Sequence, residues 1–165
     1  MHSRIFHIEL EEHRNRLKEE PLMECDFEYD MEHEWFVGSI ADYVDECTDK
    51  EDDIRWFINS MEPYNEYFTI NNEDTEIASI TFFPGFKQAF FESRLVQLKE
   101  MVRDMTIDEF TDSMMSFRLR DIIHDKFGFY IYSYDNGLIS IDEFVRNIPD
   151  IEITYYFGNT IDYHF

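Results

Sequence analysis

The sequence predicts a single α+β domain with a mixed or antiparallel sheet, amphipathic helices and a C-terminal β-hairpin. Three observations favour this fold class. The 165 residues fit one domain, and 44% of them are hydrophobic, including 17 Phe and 10 Tyr, which supplies a core. Stretches with strand alternation stand on both sides of stretches with helical spacing. No Gly/Ser-rich linker or internal repeat divides the chain, so we expect residues 1–165 to fold as one unit.

The N-terminal part is expected to contain a strand and then helices. Residues 3–10 alternate as a strand does, with His7 and Glu9 on one face. Residues 11–22 are charged and end at Pro21, which indicates a loop or a short helix. Apolar side chains at helical spacing predict an amphipathic helix over residues 36–47.

The middle of the chain is expected to continue with a short helix, a hairpin and a long helix. The short helix ends at Pro63 and turns four apolar residues inward: Ile54, Phe57, Ile58 and Met61. Aromatic and β-branched runs at 67–70 and 77–83 predict the hairpin. The long helix follows Pro84, and its apolar residues recur with a 4-3-4-3 rhythm: Phe91, Leu95, Leu98, Val102 and Met105.

The last part is expected to alternate helix and strand. Thr106 and Glu109 form a capping box for a helix that should end near Gly128. A strand over 129–133 and a short helix capped by Ser140 and Glu143 should follow. The chain is then expected to close with the hairpin of 151–157 and 160–165, turning at Gly158-Asn159.

The charge of the chain is extreme and uneven. The formal net charge is −23, which is more than solubility requires and works against a compact state. Residues 1–76 hold 23 acidic and 6 basic side chains, whereas residues 77–165 hold 14 and 8. This imbalance disfavours direct binding to nucleic acid or to an anionic membrane. It favours a basic partner protein.

The sharpest motif is a run of carboxylates at every second position of residues 24–34. Its members are Glu24, Asp26, Glu28, Asp30, Glu32 and Glu34. In a strand they would share one face at intervals of about 6.6 to 6.8 Å, which is comparable to the row of phosphates along a nucleic-acid backbone. The next two helices would extend this partner-binding surface with Asp42, Asp45, Glu46, Asp49, Glu51, Asp52 and Asp53.

The carboxylate run also fits two simpler roles. Charged residues guard the exposed edges of sheets against aggregation, although one or two charges suffice for that. Clustered carboxylates also bind cations. Residues 136–144 resemble the second half of a calcium-binding EF-hand loop, but Tyr132 and Tyr134 stand where the first ligands should be, so we expect no metal site there.

Signs of catalysis are missing from the sequence. It contains no GxSxG, P-loop or GxGxxG motif, and the six histidines show no zinc spacing. The chain has only two cysteines, Cys25 and Cys47, which are too few for a disulfide framework but enough for one disulfide. We therefore expect a non-enzymatic protein without a cofactor or metal. No secretion signal or long apolar run is present, which predicts the cytoplasm of a bacterial host cell.

In composition the chain is similar to DNA-mimic inhibitors, the anti-restriction and anti-CRISPR proteins of phages and mobile elements. These are short, soluble, very acidic and aromatic-rich. The resemblance is one of class, and no site residues transfer from it. It implies an inhibitor that mimics the phosphate backbone and blocks a DNA- or RNA-binding defence enzyme, so the partner would be a basic restriction, CRISPR or nuclease component.

Two alternative functions fit the same composition. The first is an immunity protein that neutralises a basic, nuclease-like toxin. The second is a structural or regulatory interaction protein, whose acidity should be spread more evenly along the chain. The sequence also leaves open whether the protein forms a homodimer.

Overall fold

The computed structural model describes residues 1–28, 36–47, 49–72 and 77–165. Within these ranges the chain forms helices packed on a seven-stranded mixed sheet, which confirms the α+β fold class. The strands are β1 (His2–Leu10), β2 (Tyr43–Glu46), β3 (Phe68–Asn71), β4 (Ser79–Phe82), β5 (Tyr130–Ser133), β6 (Gly137–Ser140) and β7 (Ile153–His164).

The helices of the described ranges are mostly short. They are α1 (Arg16–Glu19), α2 (Phe36–Ser39), α3 (Lys50–Ser60), α4 (Phe86–Arg103), α5 (Ile107–Thr111), α6 (Met115–Ile123) and α7 (Ile141–Asn147). Three 3-10 helices cover Glu11–His13, Glu24–Asp26 and Glu62–Tyr67. Among these described helices, none has both the length and the apolar character that crossing a membrane requires.

The long strands β1 and β7 form the centre of the sheet. The strand order is β3-β4-β7-β1-β5-β6, and only the β1–β5 pair is parallel among the described strands. On its other edge β7 pairs with β4 through residues 153–156 and with β2 through residues 161–164. Phe157 still donates to Ala78 at 2.9 Å and Thr160 still accepts from Cys47 at 3.0 Å, so Gly158 and Asn159 lie at the break between β4 and β2.

Apolar side chains cover both faces of the sheet. One face packs against α3, α4 and α7 through a core rich in aromatic rings, in which the centroid of Phe6 lies 5.1 Å from that of Phe57 and 5.8 Å from that of Phe129. The opposite face is covered by residues 22–28 and 36–41, whose buried side chains include Leu22 and Phe27. Because β1 lies between two covered faces, its His7 and Glu9 are as buried as its apolar residues.

The expected C-terminal hairpin is wrong, because β7 is a single strand. Its register along β1 shifts between Phe6 and Ile8, so Gly158 and Asn159 both lie opposite His7. This is a β-bulge, in which two residues of one strand face one residue of the other. The Gly-Asn pair that signals a hairpin turn in the sequence serves here to accommodate the extra residue.

The expected amphipathic helix over residues 36–47 is also wrong. The helical turn α2 ends at once, since Gly38 has a φ of 95° and Val37 has the extended ψ of 130°. The chain then enters β2, where Val44 is buried and its neighbours are exposed. Backbone pairing with the free edge of β7 decides the conformation here, and a sequence window does not show that edge.

Several predicted elements are confirmed in outline. Strand β1, helix α3, the β3–β4 hairpin and strand β5 lie where the sequence predicts them, and α1 is the short helix that was one of the two alternatives for residues 11–22. The capping box at α5 is formed by Thr106 and Glu109. The helix expected to continue to Gly128 instead stops at Thr111, and α6 begins at Met115.

Two helix details differ from expectation. The residues that α4 buries are Phe86 and Phe90, whereas Leu95 and Val102 on the predicted apolar face are about half exposed. Ser140 does start α7, but its hydroxyl donates to the Asp142 carboxylate at 2.8 Å and no capping box with Glu143 forms among these described residues.

Candidate partner-binding surface

Strand β2 presents carboxylates at an edge of the sheet. It pairs with β7, and no other described strand flanks it. Val44 points into the core, while Asp45 and Glu46 are exposed. An edge strand with charged side chains resists pairing with other chains through its backbone, so these two residues are available for contacts between side chains.

The start of α3 adds three further exposed carboxylates. Asp49 is the N-cap, and its side chain accepts the backbone N–H of Asp52 at 3.0 Å. Glu51 and Asp52 lie in the first turn, where the partial positive charge of the helix dipole stabilises negative side chains. Arg55 lies 3.3 Å from Asp52 in an exposed pair, which neutralises little of this charge.

The first residues of the alternating run lie beside β2, but not as a strand. Glu24 and Asp26 belong to a 3-10 helix, so the prediction of a strand is wrong for these residues. The side chain of Asp26 caps this helix by accepting the N–H of Met23 at 2.8 Å. A Glu24 oxygen accepts the outward N–H of Glu46 at 3.3 Å. This contact joins the two acidic segments.

The rest of the run divides into two parts. Glu28 is exposed and follows the 3-10 helix directly. Asp30, Glu32 and Glu34 lie outside the described residues, so the expected row of six carboxylates is described only over its first half.

Asp42 lies at the corner before β2 and has a histidine neighbour. Its carboxylate is 2.7 Å from Nδ1 of His164, and this hydrogen bond holds the pKa of Asp42 below its usual value. The His164 ring stacks on Tyr43 with 5.2 Å between centroids. Asp42 remains exposed, so it can still contact a partner, although His164 already engages one of its oxygens.

Asp53 does not belong to the surface, in contrast to expectation. Only 4% of it is exposed, and its carboxylate accepts Nε of Arg4 at 3.1 Å. Arg4 also bonds to Asp162 on β7. Burial raises the pKa of Asp53, although the Cys47 thiol and Arg4 oppose that shift. Asp53 therefore joins α3 to the sheet.

We call the carboxylates that remain the acidic edge. It consists of Glu24, Asp26, Glu28, Asp42, Asp45, Glu46, Asp49, Glu51 and Asp52. Lys50 is the one Lys or Arg between positions 19 and 54. This surface can attract and pair with Lys and Arg side chains.

A cavity of about 470 Å³ opens next to the acidic edge, on the sheet face opposite α3 and α4. His7 and Glu9 of β1 line it, and both are 2% exposed. His7 Nε2 lies 3.3 Å from Glu9 Oε1. The sequence places these two ionisable residues on one face of β1, among the apolar residues of positions 5–10, and that is the signal by which this cavity could have been found.

One group of side chains in the described residues has the arrangement of a metal site. The ligand atoms of Glu12, His13 and Asp135 lie within 4.8 Å of one another. Glu12 and Asp135 are exposed, and exposed acidic groups of this kind are common without a cation. Cys25 and Cys47 are both free thiols, so the disulfide that the sequence leaves open does not form.

Comparison of the chain with protein-family models, with curated proteins and with solved structures finds no match. Its function therefore has to be argued from the residues and their geometry.

Proposed function

We propose that the protein is an acidic inhibitor whose acidic edge takes the place of a nucleic-acid phosphate backbone and blocks a basic DNA- or RNA-binding protein. Defence enzymes of the restriction or CRISPR type are the partners that the composition favours. The observation that carries the proposal is the acidic edge itself, in which nine carboxylates from neighbouring elements far outnumber the basic side chains of the same segments. The role is one of binding rather than catalysis.

The physical basis is electrostatic. A nucleic-acid-binding cleft uses Lys and Arg to neutralise phosphates that recur every few ångströms. Carboxylates on short elements and at a sheet edge offer a comparable density of anions to such a cleft. Long-range attraction between the two surfaces raises the association rate and decreases with salt.

The arrangement of the acidic edge supports a functional role over simple protection of the sheet. Protection of β2 requires only one or two charges, which Asp45 and Glu46 supply. Glu51 and Asp52 lie on α3, where no backbone edge needs protection. Sheet protection therefore does not account for the charges on α3, which the helix dipole stabilises, and a basic partner would use the charges on both elements.

Two variants of equal charge test the proposal. The edge variant combines Asp45→Asn, Glu46→Gln, Glu51→Gln and Asp52→Asn. The control variant combines Glu100→Gln, Asp104→Asn, Asp108→Asn and Asp112→Asn, which are exposed carboxylates around α4 and α5. Both variants carry the same net charge, so they differ only in where the four charges are removed.

Immobilised wild-type protein and both variants would be used to capture proteins from bacterial lysate at about 50 mM and about 300 mM salt. We expect the wild type and the control variant to retain a basic nucleic-acid-binding protein at low salt and release it at high salt. The edge variant should retain at least about tenfold less. Equal capture by both variants would refute the proposal, and capture of a basic toxin would assign the protein to the immunity class.

A further inference from the structure

The cavity beside the acidic edge has a floor, two side walls and a defined position in the fold. Its floor is the end of β1, where His7 and Glu9 point to the sheet face opposite the long helices. One side wall is formed by residues 20–26, and the other by Tyr132 and Tyr134. Asn159 holds the first wall to β7, since its side chain exchanges two hydrogen bonds with the backbone of Leu22, at 2.9 and 2.7 Å.

The floor contains a buried carboxylate. Glu9 Oε1 accepts the backbone N–H of Tyr134 at 2.8 Å and lies 3.3 Å from His7 Nε2. Among the residues that the structure describes, these bonds fall on the same oxygen, which leaves Oε2 for a ligand. Nδ1 of His7 is buried and has no hydrogen-bond partner in the described chain. Two ionisable side chains in the centre of a sheet are costly, and a binding role accounts for them.

The walls are aromatic and the lining is acidic. Tyr132 contacts His7 edge to face, and Tyr134 carries Arg16 over its ring with the guanidinium carbon 3.7 Å from the centroid. Arg16 is also paired with Glu20 at the cavity. The carboxylates of Glu9, Glu20 and Asp26 therefore exceed the single guanidinium in the lining, so the cavity favours a cation with a flat face.

We propose that this cavity receives one arginine side chain of the basic partner. The guanidinium would meet Glu9 on the floor and stack on the Tyr132 ring, as the chain's own Arg16 stacks on Tyr134. This inference rests on the proposed function. It is spatially consistent with it, because the 3-10 helix Glu24–Asp26 forms part of the cavity wall on one side and joins the acidic edge on the other.

The probe for the cavity is Nα-acetyl-argininamide, titrated into the purified protein and followed by NMR. We expect saturable shifts of the Tyr132 and Tyr134 ring signals. The uncharged analogue Nα-acetyl-citrullinamide should bind at least about tenfold more weakly than the argininamide, because it cannot form the charge-assisted bond to Glu9. Equal binding of the two probes, or shifts that do not saturate, would overturn the proposal.

Two variants test whether the probe binds in the cavity. Glu9→Gln should weaken argininamide binding at least about tenfold, while Glu19→Gln, an exposed carboxylate outside the cavity lining, should not change it. If Glu9→Gln fails to fold, Tyr132→Leu replaces it, because it removes the stacking ring from a half-buried position. Unchanged binding by the folded variant would refute the site.

Argininamide binding and partner capture together show which of the two proposals fails, the cavity assignment or the proposed function. The edge variant keeps every cavity residue, so it should bind argininamide like the wild type and yet capture less partner. If argininamide does not bind but capture still depends on the acidic edge, only the cavity assignment falls. If argininamide binds but the edge variant captures partner normally, the proposed function falls, and with it the assignment of the ligand to that partner.

Discussion

Burial separates side chains that look equivalent in the sequence. Asp53 follows Glu51 and Asp52 in one acidic run, yet only Asp53 turns inward to Arg4. The two thiols differ in the same way, since Cys25 is exposed and Cys47 is half-buried next to Asp53. Burial, and then the charge of Asp53, raises the pKa of Cys47 to about 12.

This difference predicts unequal thiol reactivity. The thiolate is the reactive form of cysteine, and raising the pKa of Cys47 from 9.0 to about 12 lowers the fraction of thiolate at this residue. A more basic thiolate is also a stronger nucleophile, which offsets part of the loss in rate. We expect iodoacetamide at about pH 8.5 to alkylate Cys47 roughly 30-fold more slowly than Cys25 in the folded protein. Peptide mass spectrometry over time would measure both rates.

Two controls accompany the alkylation experiment. In denaturant the two rates should converge, because the burial is lost. Asp53→Asn should speed alkylation of Cys47, since it removes the neighbouring negative charge. Equal rates in the native protein would show that Cys47 is not buried as described.

At the scale of secondary-structure elements, the β-bulge of β7 connects several parts of the molecule. It lets β7 continue past His7, and it places Asn159 where its side chain holds Leu22. Space at Gly158 is limited, because a Cβ atom there would lie 2.9 Å from Leu17 Cδ2 and 3.1 Å from His7 Nδ1. A side chain at position 158 would therefore press on Leu17 of α1 and His7 of β1.

Gly158→Ala is therefore expected to destabilise the protein. The methyl group must displace Leu17 or His7, which we expect to lower the free energy of unfolding by about 1–3 kcal/mol. Urea denaturation followed by circular dichroism would measure it. In a Leu17→Ala background the same substitution should cost less, since the nearest clash is gone; wild-type stability of Gly158→Ala would contradict the packing of α1 on the bulge.

At the scale of the whole molecule, negative charge opposes folding. The chain has a net charge of −23, and its negative side chains repel one another most strongly when the chain is compact. The described part of the acidic edge concentrates this repulsion where β2 meets α3, while the apolar cores on both sheet faces oppose it. The balance between the two should depend on ionic strength, because salt screens exposed charges.

Salt should consequently stabilise the protein. We expect the melting temperature to rise by several degrees between about 10 and 200 mM NaCl, as the screening length shortens from about 30 Å to below 10 Å. Calorimetry of the wild type and the two charge variants would test this. The edge variant should show a smaller rise than the control variant of equal charge, and a melting temperature independent of salt would contradict the expectation.

The site was predictable in part. The acidic character of residues 24–28 and 42–52 follows from composition alone, and most of these side chains are exposed as expected. Their secondary structure was not predictable, because a carboxylate run fits a strand, a 3-10 helix or a turn equally well until its neighbours are known. The cavity at Glu9 was missed, since its walls come from residues 20–26 and from Tyr132 and Tyr134, which are distant in sequence.

The sequence by itself determined the fold class, the central strand β1, helix α3, the β3–β4 hairpin and the uneven negative charge. These depend on local periodicity and composition, which a sequence window contains. Tertiary structure alone decided that residues 43–46 are a strand, that Gly158-Asn159 is a bulge and that Asp53 is buried. Each of these depends on a partner far along the chain: the edge of β7, the backbone of β1 and the guanidinium of Arg4.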